Sequence, residues 1–403
     1  MTRPLGKAAV DIRDIREAAD STRGFIHKTP LIYSNSFSSM TGAEVYLKAE
    51  NLQKTGSFKV RGAFHKLTSL KSKKVIAASM GNHAQGVAFA AARLGIHAKI
   101  VMPLSASIVK QEAAKGYGAE LLLHGESFQE ALQYARSQKD YDFIHAFDDE
   151  KIIAGQGTIG LEIIEDLKDI DAIIVPVGGG GLISGIAVAV KTLAPGTEII
   201  GVQTASAASA YTSFREKKIA ESVPTYTLAD GIAVGKVGDI TFDIINKYVD
   251  DMMIVDEDSI AMAILLFLER KKLVVEGAGT VPLVALIEEK ERFKGKRVVL
   301  VVSGGNIDFT LIDRIIHKGL VSSGRIGIFE VTVDDIPGQL HTLTGIIAEQ
   351  RGNIHTIVHD RLSPGLSAVE TKVVFTVESR GKEHLAEIIS AIHTRGFTVR
   401  SIP

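Results

Sequence analysis

Ala172-Ile173-Ile174-Val175-Pro176-Val177-Gly178-Gly179-Gly180-Gly181-Leu182 is the stretch whose reading decides the fold. With the residues up to Val190 it forms a 19-residue run without a charge, a length that would suit a membrane span. Pro176 and four consecutive glycines break any helix there. A buried strand, a bare loop and a helix over Leu182–Leu193 account for the same residues. Glycines at a helix start leave several backbone N–H groups pointing at one spot, where the helix dipole adds positive potential. An anion, most often a phosphate, is the natural guest. The spacing is not the GxGxxG of dinucleotide folds, and the Lys-Ser/Thr of a P-loop is missing.

The same alternation runs outward in both directions. Strands are predicted at Val45–Lys48, Val75–Ser79, Ala98–Met102, Ala119–Leu123, Tyr141–His145, Glu198–Gln203 and Arg297–Val302. Helices are predicted at Asp11–Arg23, Asn82–Leu94, Ser107–Tyr117, Ser127–Gln138, Gln156–Leu167, Ser206–Lys217, Glu257–Arg270 and Ala278–Lys290. Strand–helix alternation with short connections predicts parallel sheets covered on both faces. There are too many strands for one small sheet, so two α/β lobes are expected, the smaller spanning roughly residues 50–150.

The pattern changes after Lys318. Gly319, Ser322, Ser323 and Gly324 read as a linker over residues 319–325. Then come Ile326–Val333, a helix at Gly338–Gln350, strands Asn353–His359 and Val369–Glu378, a helix at Lys382–Arg395 and strand Phe397–Ser401. Phe329, Val331 and Val333 alternate on one face, as do Val373, Phe375 and Val377. The order βαββαβ is the ferredoxin-like unit, here a separate domain over residues 326–403 following a catalytic domain over residues 1–318.

Composition excludes several function classes. Lys plus Arg (46) nearly cancels Asp plus Glu (47), so no field of one sign is available for nucleic acid or anionic lipid. The chain has no cysteine, which removes disulfides, thiolate metal sites and cysteine nucleophiles. Met1–Asp20 is charged and has no apolar segment, so a cytoplasmic protein without a secretory signal is expected.

Three further motifs carry chemistry. In Gly56-Ser57-Phe58-Lys59-Val60-Arg61-Gly62-Ala63 a lysine sits among small and apolar neighbours, where desolvation can tune its amine. The bland alternative is a solvated lysine at a helix start. Ser79-Met80-Gly81-Asn82-His83-Ala84-Gln85-Gly86 lies between a strand and a helix. Asn82 can cap that helix, while the bare amides beside it can hold a carboxylate. Ser303-Gly304-Gly305-Asn306 again follows a strand, and open α/β sheets bind ligands at such strand ends. His355 and His359 share a strand face without a third ligand nearby, which reads as surface or effector pocket rather than metal.

Taken together, these motifs resemble the threonine/serine dehydratases, pyridoxal-phosphate enzymes of the tryptophan-synthase-β fold. The resemblance runs over most of Ile15–His317 and includes Thr29-Pro30-Leu31, Ala229-Asp230-Gly231 and Glu276-Gly277-Ala278-Gly279. It implies that Lys59 carries the cofactor as a Schiff base and abstracts the substrate α proton. It also implies that Phe58 flanks the cofactor ring, Asn82 meets its 3-hydroxyl oxygen, Gly178 to Gly181 hold the phosphate, and Ser303 meets the pyridine nitrogen. Ser79, Gly81, Asn82, His83 and Ala84 would hold the substrate carboxylate. The implied reaction is elimination of water from L-threonine to 2-oxobutanoate and ammonia, or from L-serine to pyruvate.

The C-terminal domain resembles the ACT module, which implies an amino-acid effector, isoleucine or valine in a biosynthetic enzyme, at Asp335, Gly338, Gln339 and Leu340. A homo-oligomer, dimer or tetramer, is implied as well. Two departures stand out. Related serine racemases place a second serine where this chain has Met80, so racemisation is expected to be weak. Those relatives also bind a divalent cation through carboxylates where this chain has Gln203 and Ser209, so no metal is expected. A dehydratase of serine, 3-hydroxyaspartate or phenylserine, or a silent amino-acid sensor, are the alternatives.

Overall fold

The computed structural model describes residues 9–362 and 365–402. Two compact units divide the chain between Ile307 and Asp308.

The first unit holds two sheets. The larger has six strands, in the order Leu31–Tyr33, Glu44–Ala49, Arg297–Val302, Ala172–Pro176, Glu198–Thr204 and Asp251–Val255. All its pairings are parallel except that of the edge strand Leu31–Tyr33. The smaller sheet orders Glu120–Leu123, His97–Met102, Lys74–Ala78 and Asp142–Phe143, all parallel. Parallel sheets need cover on both faces, and the central strands accordingly read as continuous apolar runs: Ala172, Ile173, Ile174 and Val175 are fully buried. The uncharged stretch is thus strand Ala172–Pro176, a glycine loop and helix Gly181–Leu193. Among the described residues no helix is long and apolar enough to cross a membrane.

Several elements differ from the sequence expectation. Helix Glu150–Asp166 starts six residues before the predicted Gln156 (156 − 150). Asp149 caps it by accepting from the amides of Lys151 and Ile152. Gly155, Gly157 and Gly160 lie inside this helix and serve packing. A Cβ on Gly155 would lie 2.5 Å from the Gly62 Cα, so glycine lets this helix press against the one that begins at Lys59. Helix Asp239–Tyr248 and strand Asp251–Val255 were not anticipated.

A buried ionic cluster ties this frame together behind Lys59. Arg61 forks onto Glu50 at 2.8 Å through both Nε and one terminal nitrogen, and its other terminal nitrogen reaches Glu162 at 2.6 Å. Lys48 donates to Glu162 at 2.5 Å and to the Thr29 carbonyl at 2.7 Å. Arg61, Glu50 and Lys48 are fully buried. Two cations and two anions balance, which makes their burial tolerable.

The second unit begins with helix Phe309–Ser322, so residues 319–322 of the expected linker are helical and Gly319 is buried. Its antiparallel sheet runs Asn353–Asp360, Glu370–Glu378, Ile326–Asp334, Thr398–Ile402, with helices Gln339–Glu349 and Lys382–Thr394. This is the ferredoxin-like order. Phe329, Val331, Val373, Phe375, Val377, Ile388 and Ile392 form its core. A bulge between Ile354 and Thr356 breaks the alternation expected of His355 and His359. His355 stands 3.9 Å from Glu378 on the surface, while His359 lines a pocket.

Candidate active site

Lys59 is the first residue of helix Lys59–Thr68. Its amine donates to the Ala146 carbonyl at 3.0 Å and lies 5.2 Å from the Phe58 ring centroid. The side chain as a whole is only partly covered. The amine itself lies deep enough that desolvation lowers its pKa to about 8, against a smaller opposing pull from Glu276. A lysine at its ordinary value is neutral in only a few molecules per ten thousand at pH 7, whereas one near 8 is neutral in about a tenth.

The segment from Ile144 to Asp149 brings the motifs together. The Ile144 carbonyl meets His83 Nε2 at 3.0 Å and the Ala146 carbonyl takes the Lys59 amine. Phe147 packs under the glycine loop so closely that a Cβ on Gly179 would fall 2.4 Å from its ring. Asp148 accepts from the amides of Ile240 and Thr241 at 3.0 and 3.2 Å, and Thr241 Oγ1 donates to the Gly179 carbonyl at 2.7 Å. The glycine loop is held by its carbonyls and by packing. Among the described residues, the amides of Gly178, Gly179 and Gly180 donate to no main-chain carbonyl. Gly180, at φ +94°, caps helix Gly181–Leu193 with no side chain. The result is a cradle of bare N–H groups with the helix dipole behind it.

The other motifs close on Lys59 from two sides. The Phe58 amide donates to the Ser303 carbonyl at 3.1 Å, and Gly305 donates to the Gly56 carbonyl at 2.9 Å. Ser303 is buried. Helix Asn82–Leu94 packs on Lys59 through Gly86, where a Cβ would come within 3.1 Å of the Lys59 carbonyl carbon. Ser79 Oγ accepts from the Gly81 amide at 3.2 Å, shaping the turn. Gly81, not Asn82, is the N-cap of that helix, and it carries no side-chain cap. Asn82 sits one position inside, and its amide goes instead to Glu276 at 2.9 and 3.0 Å. His83 is buried, and desolvation followed by the Lys59 charge pushes its pKa down to about 3. It is a neutral packing residue, and the useful groups there are the amides.

Sequence reasoning missed Glu276 as a site residue. Desolvation pushes its pKa up to about 7, against the Asn82 hydrogen bond, with Asp230 raising it and Lys59 and Lys110 lowering it. It also missed the Ile144–Asp149 segment, which contributes mainly carbonyls. Gln203 is buried, with Oε1 accepting from the Tyr211 amide at 2.8 Å and Nε2 unpartnered. In the second unit, Asp335, Gly338, Gln339 and Leu340 line one pocket of about 360 Å³ with His359 and Arg361.

Pyridoxal phosphate fits these residues. A cradle of bare amides at a helix N-terminus suits a dianionic phosphate, and a lysine with a depressed pKa suits carbonyl condensation. A family model described as pyridoxal-phosphate dependent enzyme matches residues 22–304. The chain is similar to an L-threonine ammonia-lyase of Thermotoga maritima, at 46% identity over 98% of this chain and 100% of the relative. It is similar to threonine deaminase isoform 2 of Solanum lycopersicum, at 37% identity and TM-score 0.73, covering 78% of this chain and 95% of that one. It is also similar to maize serine racemase, at 34% identity and TM-score 0.73, covering 78% and 99%.

Proposed function

This chain belongs to the pyridoxal-phosphate-dependent enzymes, and we propose that within them it is an L-threonine ammonia-lyase, releasing 2-oxobutanoate and ammonia and acting also on L-serine. What carries the reading is similarity to an L-threonine ammonia-lyase along nearly the whole of both chains, the C-terminal unit included. The bound cofactor supplies an electron sink that acidifies the substrate Cα–H.

The chain's own residues do the rest. The amides of Gly178 to Gly181 would hold the phosphate, Phe58 would flank the ring, Asn82 would meet the ring's 3-oxygen and the Ser303 hydroxyl would meet the pyridine nitrogen. A hydroxyl there would leave that nitrogen largely unprotonated, which would suit elimination over transamination. Ser79 and the amides of Gly81 to Ala84 hold the substrate carboxylate at the start of helix Asn82–Leu94. Lys59 would carry the cofactor, and as a neutral amine it would take the α proton. Met80 offers no second base, which disfavours racemisation despite the similarity to a serine racemase.

The depressed pKa of Lys59 gives a pH prediction. In cofactor-free protein the neutral amine is the reactive form, so cofactor uptake should rise about tenfold per pH unit up to about 8 and then level off. Stopped-flow absorbance checks it. A plateau reached only above pH 10 would mean an ordinary, solvated lysine.

The C-terminal unit is proposed to be an ACT-type regulatory module, in an enzyme that assembles as a homo-oligomer. Its effector is an amino acid, isoleucine or valine, bound at Asp335, Gly338, Gln339 and Leu340. A panel of 3-hydroxy amino acids, scored by keto-acid release with and without branched-chain amino acids, tests both readings. Threonine should lead the panel, and one branched-chain amino acid should change its kinetics in wild type but not after Arg361→Ala. Preference for phenylserine or 3-hydroxyaspartate would replace the substrate. Identical kinetics with every candidate effector would remove the regulatory role.

A further inference from the structure

The Asn82 side chain sits in a chain of directed hydrogen bonds whose polarity is set at the outer end. The Thr55 carbonyl can only accept, so Asn306 presents Nδ2 to it at 2.8 Å. The same nitrogen donates to Asn82 Oδ1, also at 2.8 Å. Asn82 therefore shows its oxygen to Asn306 and its Nδ2 to Glu276, whose two oxygens lie at 2.9 and 3.0 Å. Both ends of the amide agree.

The two clamping residues are themselves provided for. Glu276 stands at the N-cap of helix Gly277–Glu288 but makes no capping bond. Its amide donates to the Gly304 carbonyl at 3.1 Å, and a Cβ on Gly304 would lie 2.5 Å from Glu276 Oε1. Glycine at 304 thus keeps room for the carboxylate. Gly56, at φ +69°, does the same for Asn306, since a Cβ there would lie 2.4 Å from Asn306 Oδ1.

We propose that Glu276 and Asn306 are positioning residues that lock the Asn82 amide in one of its two flips, so that it offers an N–H and not a carbonyl to its ligand. The inference rests on the assignment of Asn82 to the ring oxygen of pyridoxal phosphate. The two flips of an amide have nearly the same shape but exchange donor for acceptor. A ring oxygen carrying negative charge is held by the first and repelled by the second. Glu276 also pulls on Lys59 through its charge, but Asn306 acts on the cofactor only through Asn82.

That last property makes the test a double-mutant cycle. Cofactor-free, full-length protein is titrated with pyridoxal phosphate, reading the dissociation constant and the visible absorbance maximum. Glu276→Ala and Asn306→Ala should each weaken binding about tenfold and shift the band as Asn82→Ala does. Adding Asn306→Ala to Asn82→Ala should weaken binding no further. Glu276→Gln, which still offers an acceptor, should restore binding to within about twofold of wild type.

Additive losses, or an unchanged constant and band in both Glu276→Ala and Asn306→Ala while Asn82→Ala weakens binding, would overturn the clamp and leave the Asn82 assignment standing. No effect of Asn82→Ala would overturn both. If far-UV circular dichroism shows Glu276→Ala unfolded, the exposed Asn306 arm decides alone.

Discussion

Replacing Lys59 with alanine is expected to lower threonine turnover by about 10³-fold or more and to abolish the cofactor's visible absorbance band. One side chain is asked to hold the cofactor covalently and to move the α proton, and Met80 supplies no substitute. Removing Lys59 takes away one of the charges that lower the Glu276 pKa. The Lys59 amine donates to the Ala146 carbonyl at 3.0 Å. Its pKa is lowered from 10.5 to about 8, so the folded protein binds this proton less well than the unfolded chain does. Burial of the protonated amine therefore costs stability below about pH 8, and the cost is relieved as pH rises from about 8 to 10.5. The cofactor-free alanine variant should consequently be at least as stable as wild type at pH 7, with any gain fading toward pH 10.5. Urea unfolding checks the second expectation and ammonia release the first. Ammonia release at the wild-type rate would end the assignment of Lys59.

What could be read from the chain beforehand follows the range of the interactions involved. Strand, glycine loop and helix over residues 172–193 are local events, written in apolar runs and in glycines that nothing else explains. The alternation of Phe329, Val331 and Val333 is equally local. Glu276 was hidden because its partner Asn82 lies 194 residues away, and a glutamate before a helix looks like any solvated charge. Ala146 was hidden more thoroughly, since it contributes a carbonyl that every residue type possesses. Asn82 was expected to cap its helix because asparagine often does. Gly81 takes that position without a side chain, and the tertiary partners Glu276 and Asn306 outbid the local one. Gly155, Gly157 and Gly160 lower the intrinsic propensity of helix Glu150–Asp166. Their cost is offset by close contact with neighbouring backbones, which propensity does not see.

Arg61 gives the second large effect, on stability. Replacing it with methionine keeps most of the side-chain volume but leaves Glu50 and Glu162 facing Lys48 alone. Burial pushes the Glu50 pKa up, but the Arg61 charge and hydrogen bonds, helped by Lys48 and Thr29, leave it below its ordinary value. Despite its own burial, the Arg61 guanidinium is held charged by Glu50 and Glu162. Breaking a buried pair by removing one partner typically costs 3–5 kcal/mol, because an uncompensated charge stays behind, so a loss of about that size is expected here at pH 7. Because the Glu50 pKa is depressed in the folded protein, its contribution is present above the unfolded value of 4.5 and lost as pH falls through the folded value. In the variant, burial is opposed only by Lys48 and the Thr29 hydrogen bond, so Glu50 takes up a proton more readily and the penalty eases on acidification. The gap between wild type and Arg61→Met should therefore be widest near neutrality and narrow below pH 5. Urea unfolding at pH 7 and pH 4 reads this directly. A gap that is constant with pH would assign the loss to packing rather than charge. Activity should fall as well, since Arg61 anchors the first turn of the helix that begins at Lys59, and an amine displaced by about 1 Å can cost two orders of magnitude in rate.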